Sequence, residues 1–134
     1  MGKMLLTSDD LMRGDWIMRI DVENPYPVQV HEILAEGVIV DNQNNHYINL
    51  PYSDIEPILL TKEILEKNDF HYVKNEDSNT EYYVYKFAAL SIHIVSIQNS
   101  IFDIDLGLYR RILHGVHSLQ HIFNFCNIKY KIEI

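Results

Sequence analysis

The chain has 134 residues and a net charge of −8, with 47% hydrophobic and 22% charged residues. This balance excludes a chain that is mostly disordered, and no apolar run is long enough to predict a transmembrane helix. The negative charge is concentrated in residues 1–60, where ten acidic and three basic residues give −7. Because an acidic surface repels phosphate backbones, the composition argues against a nucleic-acid partner.

Residues 1–60 predict five short strands separated by turns. Gly14 marks a sharp turn, after which Trp16 begins the first strand. The predicted strands cover 16–21, 28–33, 38–40, 46–50 and 56–60, with a hairpin turn at 41–45 and a 3₁₀ turn at 52–55. Pro57 confines the last strand to the edge of a sheet. This order of elements resembles a small SH3-like β-barrel, and we expect residues 1–60 to form that part.

Residues 61–134 predict a second part of the chain. Thr61 caps a short helix over 62–67, and Asn68 is expected to end it in a left-handed conformation. Apolar and polar residues alternate in the strands predicted at 70–73, 81–87, 90–94 and 101–106. This pattern is typical of an antiparallel meander with one face exposed to solvent. A long helix over 108–126, with Gly115 weakening its middle, and a strand over 128–133 complete the prediction. The predicted fold class is therefore α+β, a barrel followed by a meander with one packed helix.

The one cysteine, Cys126, bears on the cellular compartment. A single cysteine forms no internal disulfide, which is typical of a reducing environment. The first ten residues contain one lysine and only a short apolar pair, unlike a secretory signal peptide. We therefore expect a cytoplasmic protein in which Cys126 acts as a small apolar residue.

Three histidines of the predicted helix are candidate metal ligands. They are spaced H-x2-H-x3-H, and two histidines one turn apart can bind zinc. The apolar residues of the same helix form a stripe on the opposite face, so a solvated outward face is the favoured interpretation. The stripe comprises Ile112, Val116, Leu119 and Phe123, and the candidate ligands are His114, His117 and His121. A metal-dependent hydrolase built on these histidines is the alternative.

Four aromatic residues of the barrel part are candidates for peptide binding. SH3-like barrels bind extended peptides in aromatic grooves, and the nearby carboxylates would suit a basic peptide. The interpretation that we favour is that the tryptophan and two of the tyrosines fill a small core. The four residues are Trp16, Tyr26, Tyr47 and Tyr52.

Segments 56–70 (EPILLTKEILEKNDF), 90–93 (LSIH) and 116–123 (VHSLQHIF) carry a family resemblance. With them, the chain from about Leu11 onward resembles a group of small uncharacterised proteins from anaerobic gut bacteria and their mobile elements. The group has no known activity, so the resemblance implies no catalytic residue. It implies an accessory protein rather than a metabolic enzyme. Asp69 departs from the expected pattern, because a glycine would fit better after the asparagine that ends the helix.

The sequence favours an accessory or assembly protein that binds a protein partner, and not an enzyme. We expect no catalytic residue, no cofactor, no membrane partner and no nucleic acid, and a basic peptide is the candidate ligand. The sequence leaves open whether the chain forms a homo-oligomer. Two other functions stay open as well, the metal-dependent hydrolase and an acidic DNA mimic that inhibits a DNA-binding protein.

Overall fold

The computed structural model describes residues 6–42, 46–77, 80–87, 90–98, 101–105 and 110–134. The fold is α+β, with antiparallel sheets and one main helix. The chain divides into two compact units, Met1–Ile58 with Gly115–His121, and Leu59–His114 with Ile122–Ile134. Among the described residues, no helix is both long enough and apolar enough to cross a membrane.

The first unit contains a five-stranded antiparallel sheet with the strand order β4-β3-β2-β1-β5. The strands are β1 (Trp16–Arg19), β2 (Tyr26–Ile33), β3 (Gly37–Asp41), β4 (Tyr47–Pro51) and β5 (Ile55–Pro57). A 3₁₀ turn, Tyr52–Asp54, joins β4 to β5, and a second, Ser8–Asp10, precedes β1. All five strands were predicted from the sequence. In the described part of the chain no ladder joins β4 to β5, so the sheet is not closed into a barrel.

The core of the first unit is aliphatic and lies on one face of this sheet. Ile17 of β1 is fully buried, whereas its neighbour Trp16 is half-buried. Gly37 is required by a close approach between β3 and β4, because a Cβ atom there would lie 2.2 Å from the carbonyl oxygen of Leu50. The buried residues of this core are Leu6, Leu11, Ile17, Val28, Val30, Val38, Val40, Leu50 and Ile55.

The second unit contains the predicted antiparallel meander, with the strand order β10-β9-β8-β7-β6. Its elements are α1 (Lys62–Lys67), β6 (His71–Asn75), β7 (Thr80–Phe87), β8 (Leu90–Gln98), β9 (Ile101–Asp105) and β10 (Arg110–Leu113). The predicted cap is confirmed, since the Ile64 N–H donates to the Thr61 hydroxyl over 3.2 Å. The alternation of β7 and β8 is confirmed as well, with buried side chains at Tyr83, Tyr85, Ile92 and Ile94. The inward side chains expected at 90, 104 and 106 lie outside the described set.

The prediction of one helix over 108–126 is wrong. Residues Arg110–Leu113 form β10, which pairs with β9, and helix α2 covers only Val116–Phe125. Gly115 does not weaken the middle of this helix but precedes its first residue. A Cβ atom at Gly115 would lie 2.8 Å from the carbonyl oxygen of Ile58, and that same oxygen accepts the Val116 N–H over 2.9 Å. The apolar residues at 112 and 116 are four positions apart, which is also the spacing of one helical face. The pattern therefore did not reveal that a strand ends and a helix begins between them.

The predicted C-terminal strand is also wrong, because residues 128–134 form no ladder. Ile128 and Ile132 are nevertheless buried in the second unit. The backbone of Glu133 is hydrogen-bonded by the side chain of Asn68, and not by a neighbouring strand. Nδ2 of Asn68 donates to the Glu133 carbonyl over 2.6 Å, and its Oδ1 accepts the Glu133 N–H over 2.7 Å. An amide side chain can satisfy one residue of an extended segment in this way without a sheet.

The left-handed residue after α1 is Asp69, with φ +66°, and not Asn68, whose φ is −103°. Asn68 is held by its two bonds to Glu133, so the reversal of the chain falls one residue later. Aspartate is one of the few non-glycine residues that adopt this conformation. Asn127, with φ +57°, follows α2 as the sequence predicted.

Candidate functional site

Antiparallel register places two of the predicted aromatic residues in one row on the outer face of the first sheet. Trp16 pairs with Gln29, Gln29 with Asp41, and Asp41 with Tyr47. Directly paired residues of antiparallel strands project from the same face. The adjacent row, which contains Ile17 and Val28, faces the core instead. The outer-face row, defined as Trp16, Gln29, Asp41 and Tyr47, therefore crosses four strands.

Tyr47 is the most accessible residue of the outer-face row. Its side chain is 54% exposed although it belongs to a regular strand. The ring packs on the imidazole of His31, with ring centroids 4.3 Å apart. Asp41, its neighbour in the row, is also exposed. An exposed aromatic ring, supported from one side and next to a carboxylate, can bind a cation on its free face.

Trp16 lies at the other end of the row. Three strand spacings separate it from Tyr47, a distance of about 14 Å. Its backbone N–H donates to Oε1 of Gln120 over 2.8 Å. Its indole Nε1 is buried and has no hydrogen-bond partner among the described residues. The indole is therefore only partly exposed, and its N–H group does not reach the surface.

The other two predicted aromatic residues do not join the row. Tyr26 and Tyr52 pack against the aliphatic core. The Tyr26 hydroxyl donates to Oδ1 of Asn42 and accepts from Nη1 of Arg19 over 2.8 Å. The Tyr52 hydroxyl donates to the Leu34 carbonyl over 2.6 Å, and burial raises the pKa of Tyr52. These two tyrosines serve the interior and the turns, so the predicted set of four divides into two pairs.

Arg19 and Asp21 form a bidentate ion pair in the first unit. Nε of Arg19 lies 2.6 Å from Oδ1 of Asp21, and a second bond of 3.1 Å makes the contact bidentate. The guanidinium holds the pKa of Asp21 below its usual value, and the carboxylate raises the pKa of Arg19. Asp21 is thereby partly neutralised, unlike the carboxylate of Asp41 in the outer-face row.

The three candidate metal ligands do not share one outward helix face. His114 precedes α2 and is exposed, whereas His117 is 3% exposed, so the outward orientation predicted for His117 is wrong. The rings of His117 and His121 lie 5.7 Å apart between centroids. In the part of the chain that the structure describes, no three His, Cys, Asp or Glu side chains are grouped so that they could hold a metal ion. Asp103 and Asp105, whose side chains are not described, lie outside that statement.

Sequence reasoning missed a group of three polar side chains, Asp15, Gln120 and His121, that holds the turn before β1. We name this group the polar clamp. Nε2 of His121 lies 2.6 Å from Oδ2 of Asp15, a carboxylate that is buried and also accepts the Met12 N–H over 2.7 Å. Gln120 adds two bonds, accepting from Trp16 and donating to the Gly14 carbonyl over 2.9 Å. Gly14, with φ +90°, makes the turn that this clamp fixes.

A histidine–carboxylate pair can orient an imidazole for proton transfer. Here the polar clamp fixes the backbone from Met12 to Trp16. Its direct consequence is to position the start of β1, and with it one end of the outer-face row. No local signal in the sequence pointed to it, because its partners are 104 to 106 residues apart.

Comparison of the chain with protein-family models, curated proteins and solved structures finds no match. The resemblance to small proteins of gut bacteria therefore stays a prediction.

Proposed function

We propose that this chain is an accessory protein that binds an extended basic peptide on the outer face of its first sheet. The observation that carries the proposal is the outer-face row, in which an exposed tyrosine and an exposed aspartate stand side by side. Gln29 and Trp16 continue the row toward β1. A ligand that crosses the strands along this row meets an aromatic ring, a carboxylate, an amide and a second ring in turn.

The chemistry of the row selects a cationic ligand. An arginine or lysine of the peptide stacks on the free face of Tyr47, and its charge is neutralised by Asp41. The charge of −7 over residues 1–60 adds a favourable long-range field that raises the association rate for a basic partner. Because Asp41 has no ion pair among the described contacts, its charge is available to the ligand.

We further propose that the first sheet belongs to the SH3-like barrel class. The strand order β4-β3-β2-β1-β5 and the 3₁₀ turn between β4 and β5 support this assignment. Domains of that class bind extended peptides through exposed aromatic residues, which agrees with the proposed ligand. The outer-face row would then take the place of their aromatic groove.

A binding titration tests the proposal with a fluorescein-labelled peptide of alternating arginine and proline. The matched probe is the same peptide with glutamate in place of arginine. We expect saturable binding of the basic peptide alone, weakened by high salt, with a change in the fluorescence of Trp16, the only tryptophan. Tyr47→Ala should weaken binding by about tenfold, as is typical of a central aromatic contact.

Tyr72→Ala is the control variant, because Tyr72 is 45% exposed but belongs to the second unit. It should bind the basic peptide like the wild type. Equal affinity for the basic and acidic peptides, or unchanged affinity in Tyr47→Ala, would show that the outer-face row is not the binding site.

A further inference from the structure

Strand β6 is an edge strand of the second sheet whose side chains are all exposed. Among the described strands it pairs with β7 alone, and each of its five residues is exposed. Two of these residues are apolar or aromatic, Tyr72 at 45% and Val73 at 47% exposure. An edge of this kind presents a row of backbone groups that can pair with another strand.

The β6 edge has only one of the features that usually prevent such pairing, the charge of Lys74. It contains no proline, and its register with β7 runs from His71 to Asn75 without a bulge. Its single charged residue is Lys74. The edges of the first sheet differ, since β4 ends at Pro51 and the three-residue β5 ends at Pro57. Proline and bulges are common means of blocking an edge, and β6 has neither, so that the charge of Lys74 is its one protective feature.

The sequence of β6 is complementary to itself in antiparallel orientation. If two copies of β6 meet on a two-fold axis at Val73, each Val73 faces the partner's Val73, and each Tyr72 faces the partner's Lys74. His71 then faces the partner's Asn75. No two like charges oppose each other in this register, and an antiparallel pair of this length forms about four to six backbone hydrogen bonds.

Side chains already on the second sheet prepare the contact between Tyr72 and the partner's Lys74. The Tyr72 hydroxyl donates to Oε1 of Glu81 over 2.6 Å, and the Tyr72 ring packs against Tyr83 with centroids 5.5 Å apart. That hydrogen bond raises the pKa of Tyr72 to about 12 and lowers the pKa of Glu81. A fixed aromatic ring bonded to an ionised carboxylate suits an incoming ammonium group.

We propose that the chain forms a symmetric homodimer through β6, in which the two second-unit sheets join into one ten-stranded antiparallel sheet. The occupant of the edge is a second copy of this chain, because the register around Val73 matches apolar with apolar and aromatic with cation. The dimer does not depend on the peptide site, which lies in the other unit.

Sedimentation velocity of the full chain, at concentrations up to about 0.5 mM, tests the dimer, because an interface of this small size is expected to be weak. We expect the wild type to shift from monomer to dimer over this range. Val73→Glu and Val73→Lys should each remain monomeric, because each places like charges opposite each other. An equimolar mixture of the two variants should dimerise again, because the opposed charges then attract.

Two further variants separate the interface from a loss of folding. Val73→Cys in a Cys126→Ser background should form a disulfide-linked dimer under oxidation, and circular dichroism should show that each variant keeps its strands. Asn49→Glu, at an exposed position on the edge strand β4 of the first sheet, is the matched control and should dimerise like the wild type. A wild type that stays monomeric up to that limit, or a dimer that survives both charged variants, would overturn the proposal. An oxidised Val73→Cys protein that stays monomeric would overturn it as well.

Discussion

The two sheets of this protein share antiparallel pairing and strand number but are stabilised by different side chains. The core of the first unit consists of leucine, isoleucine and valine, with tyrosines only at its margin. The second unit is centred on aromatic rings whose centroids lie 4.9 to 6.0 Å apart, namely Phe70, Tyr85, Phe123 and Tyr130. We name these four residues the aromatic cluster.

The two cores differ in side-chain type because they pack against different kinds of secondary-structure element. The first core fills the space over one sheet, where branched aliphatic side chains pack well on a pleated surface. The aromatic cluster joins β7, helix α2, the residue before β6 and the extended C-terminal segment. Large rings reach between such irregular elements, and edge-to-face contacts fix their orientation.

The largest effect is expected from Phe123→Ala, which removes the ring shared by three contacts of the aromatic cluster. Phe123 is 1% exposed, so its loss leaves a cavity that costs about 3–5 kcal/mol of unfolding free energy. Urea denaturation measures the change. The control is Phe125→Ala on the same helix, which is 87% exposed and should change stability by less than about 0.5 kcal/mol.

A smaller effect is expected from Gly37→Ala, which tests the packing of the first sheet. The new methyl group would meet the Leu50 carbonyl at 2.2 Å, so β3 and β4 must move apart. We expect a loss of about 1–3 kcal/mol, typical of forced overpacking. Ala35→Ser in the exposed turn before β3 is the control. If both variants denature at the same urea concentration, the close approach of the two strands is not needed for stability.

Asp15→Asn tests the polar clamp. The clamp is held by hydrogen bonds, whereas the core of the first unit is held by aliphatic packing. The amide removes the carboxylate that His121 and the Met12 N–H share, at a buried position. A loss of about 1–3 kcal/mol is expected for a buried group left without its partners. Asp41→Asn changes an exposed carboxylate of the same sheet and should be neutral. Equal stability of the two variants would contradict a structural role for the clamp.

The smallest effect is a pH dependence of stability that Tyr130 of the second unit should contribute. Burial and a 3.0 Å hydrogen bond to Asp69 raise the pKa of Tyr130 to about 12. The folded state thus holds this proton more tightly than the unfolded state, whose tyrosine pKa is about 10. The resulting stability is complete below about pH 10 and is lost as the pH rises toward 12.

Tyr130→Phe should therefore lose less stability than the wild type between these two pH values. Urea midpoints measured across the range compare the two proteins. Four other tyrosines, Tyr52, Tyr72, Tyr83 and Tyr85, also have raised pKa values, so some loss should remain in the variant. Identical pH profiles would show that Tyr130 does not contribute.

Much of each sheet could be predicted from local pattern. Alternation with a period of two placed Tyr83, Tyr85 and Phe87 on the same face of β7, and the first two are buried whereas Phe87, at the end of the strand, is exposed. The same reasoning failed at the change from β10 to α2, because apolar residues at 112 and 116 fit the spacing of a helix as well as the end of a strand. It also failed at residues 128–134, where the apolar alternation is present but the backbone partner is the side chain of Asn68.

The candidate site was predicted less completely than the fold. Aromatic and acidic composition pointed to Trp16 and Tyr47, but only the register of four strands shows that they share a row while Tyr26 and Tyr52 face the core. The peptide ligand itself remains a prediction for the binding titration.

The sequence by itself determined the strands of the first sheet, most strands of the second, the Thr61 cap and the acidic character of the first 60 residues, since these depend on neighbours within a few positions. The tertiary structure alone decided that His121 meets Asp15 and that Asn68 meets Glu133, contacts across 106 and 65 residues. Local periodicity shows which face of an element is apolar, but it does not specify the distant residue packed against that face. A hydrogen bond between remote side chains forms only after folding has brought their backbones together, and no spacing along the chain encodes it.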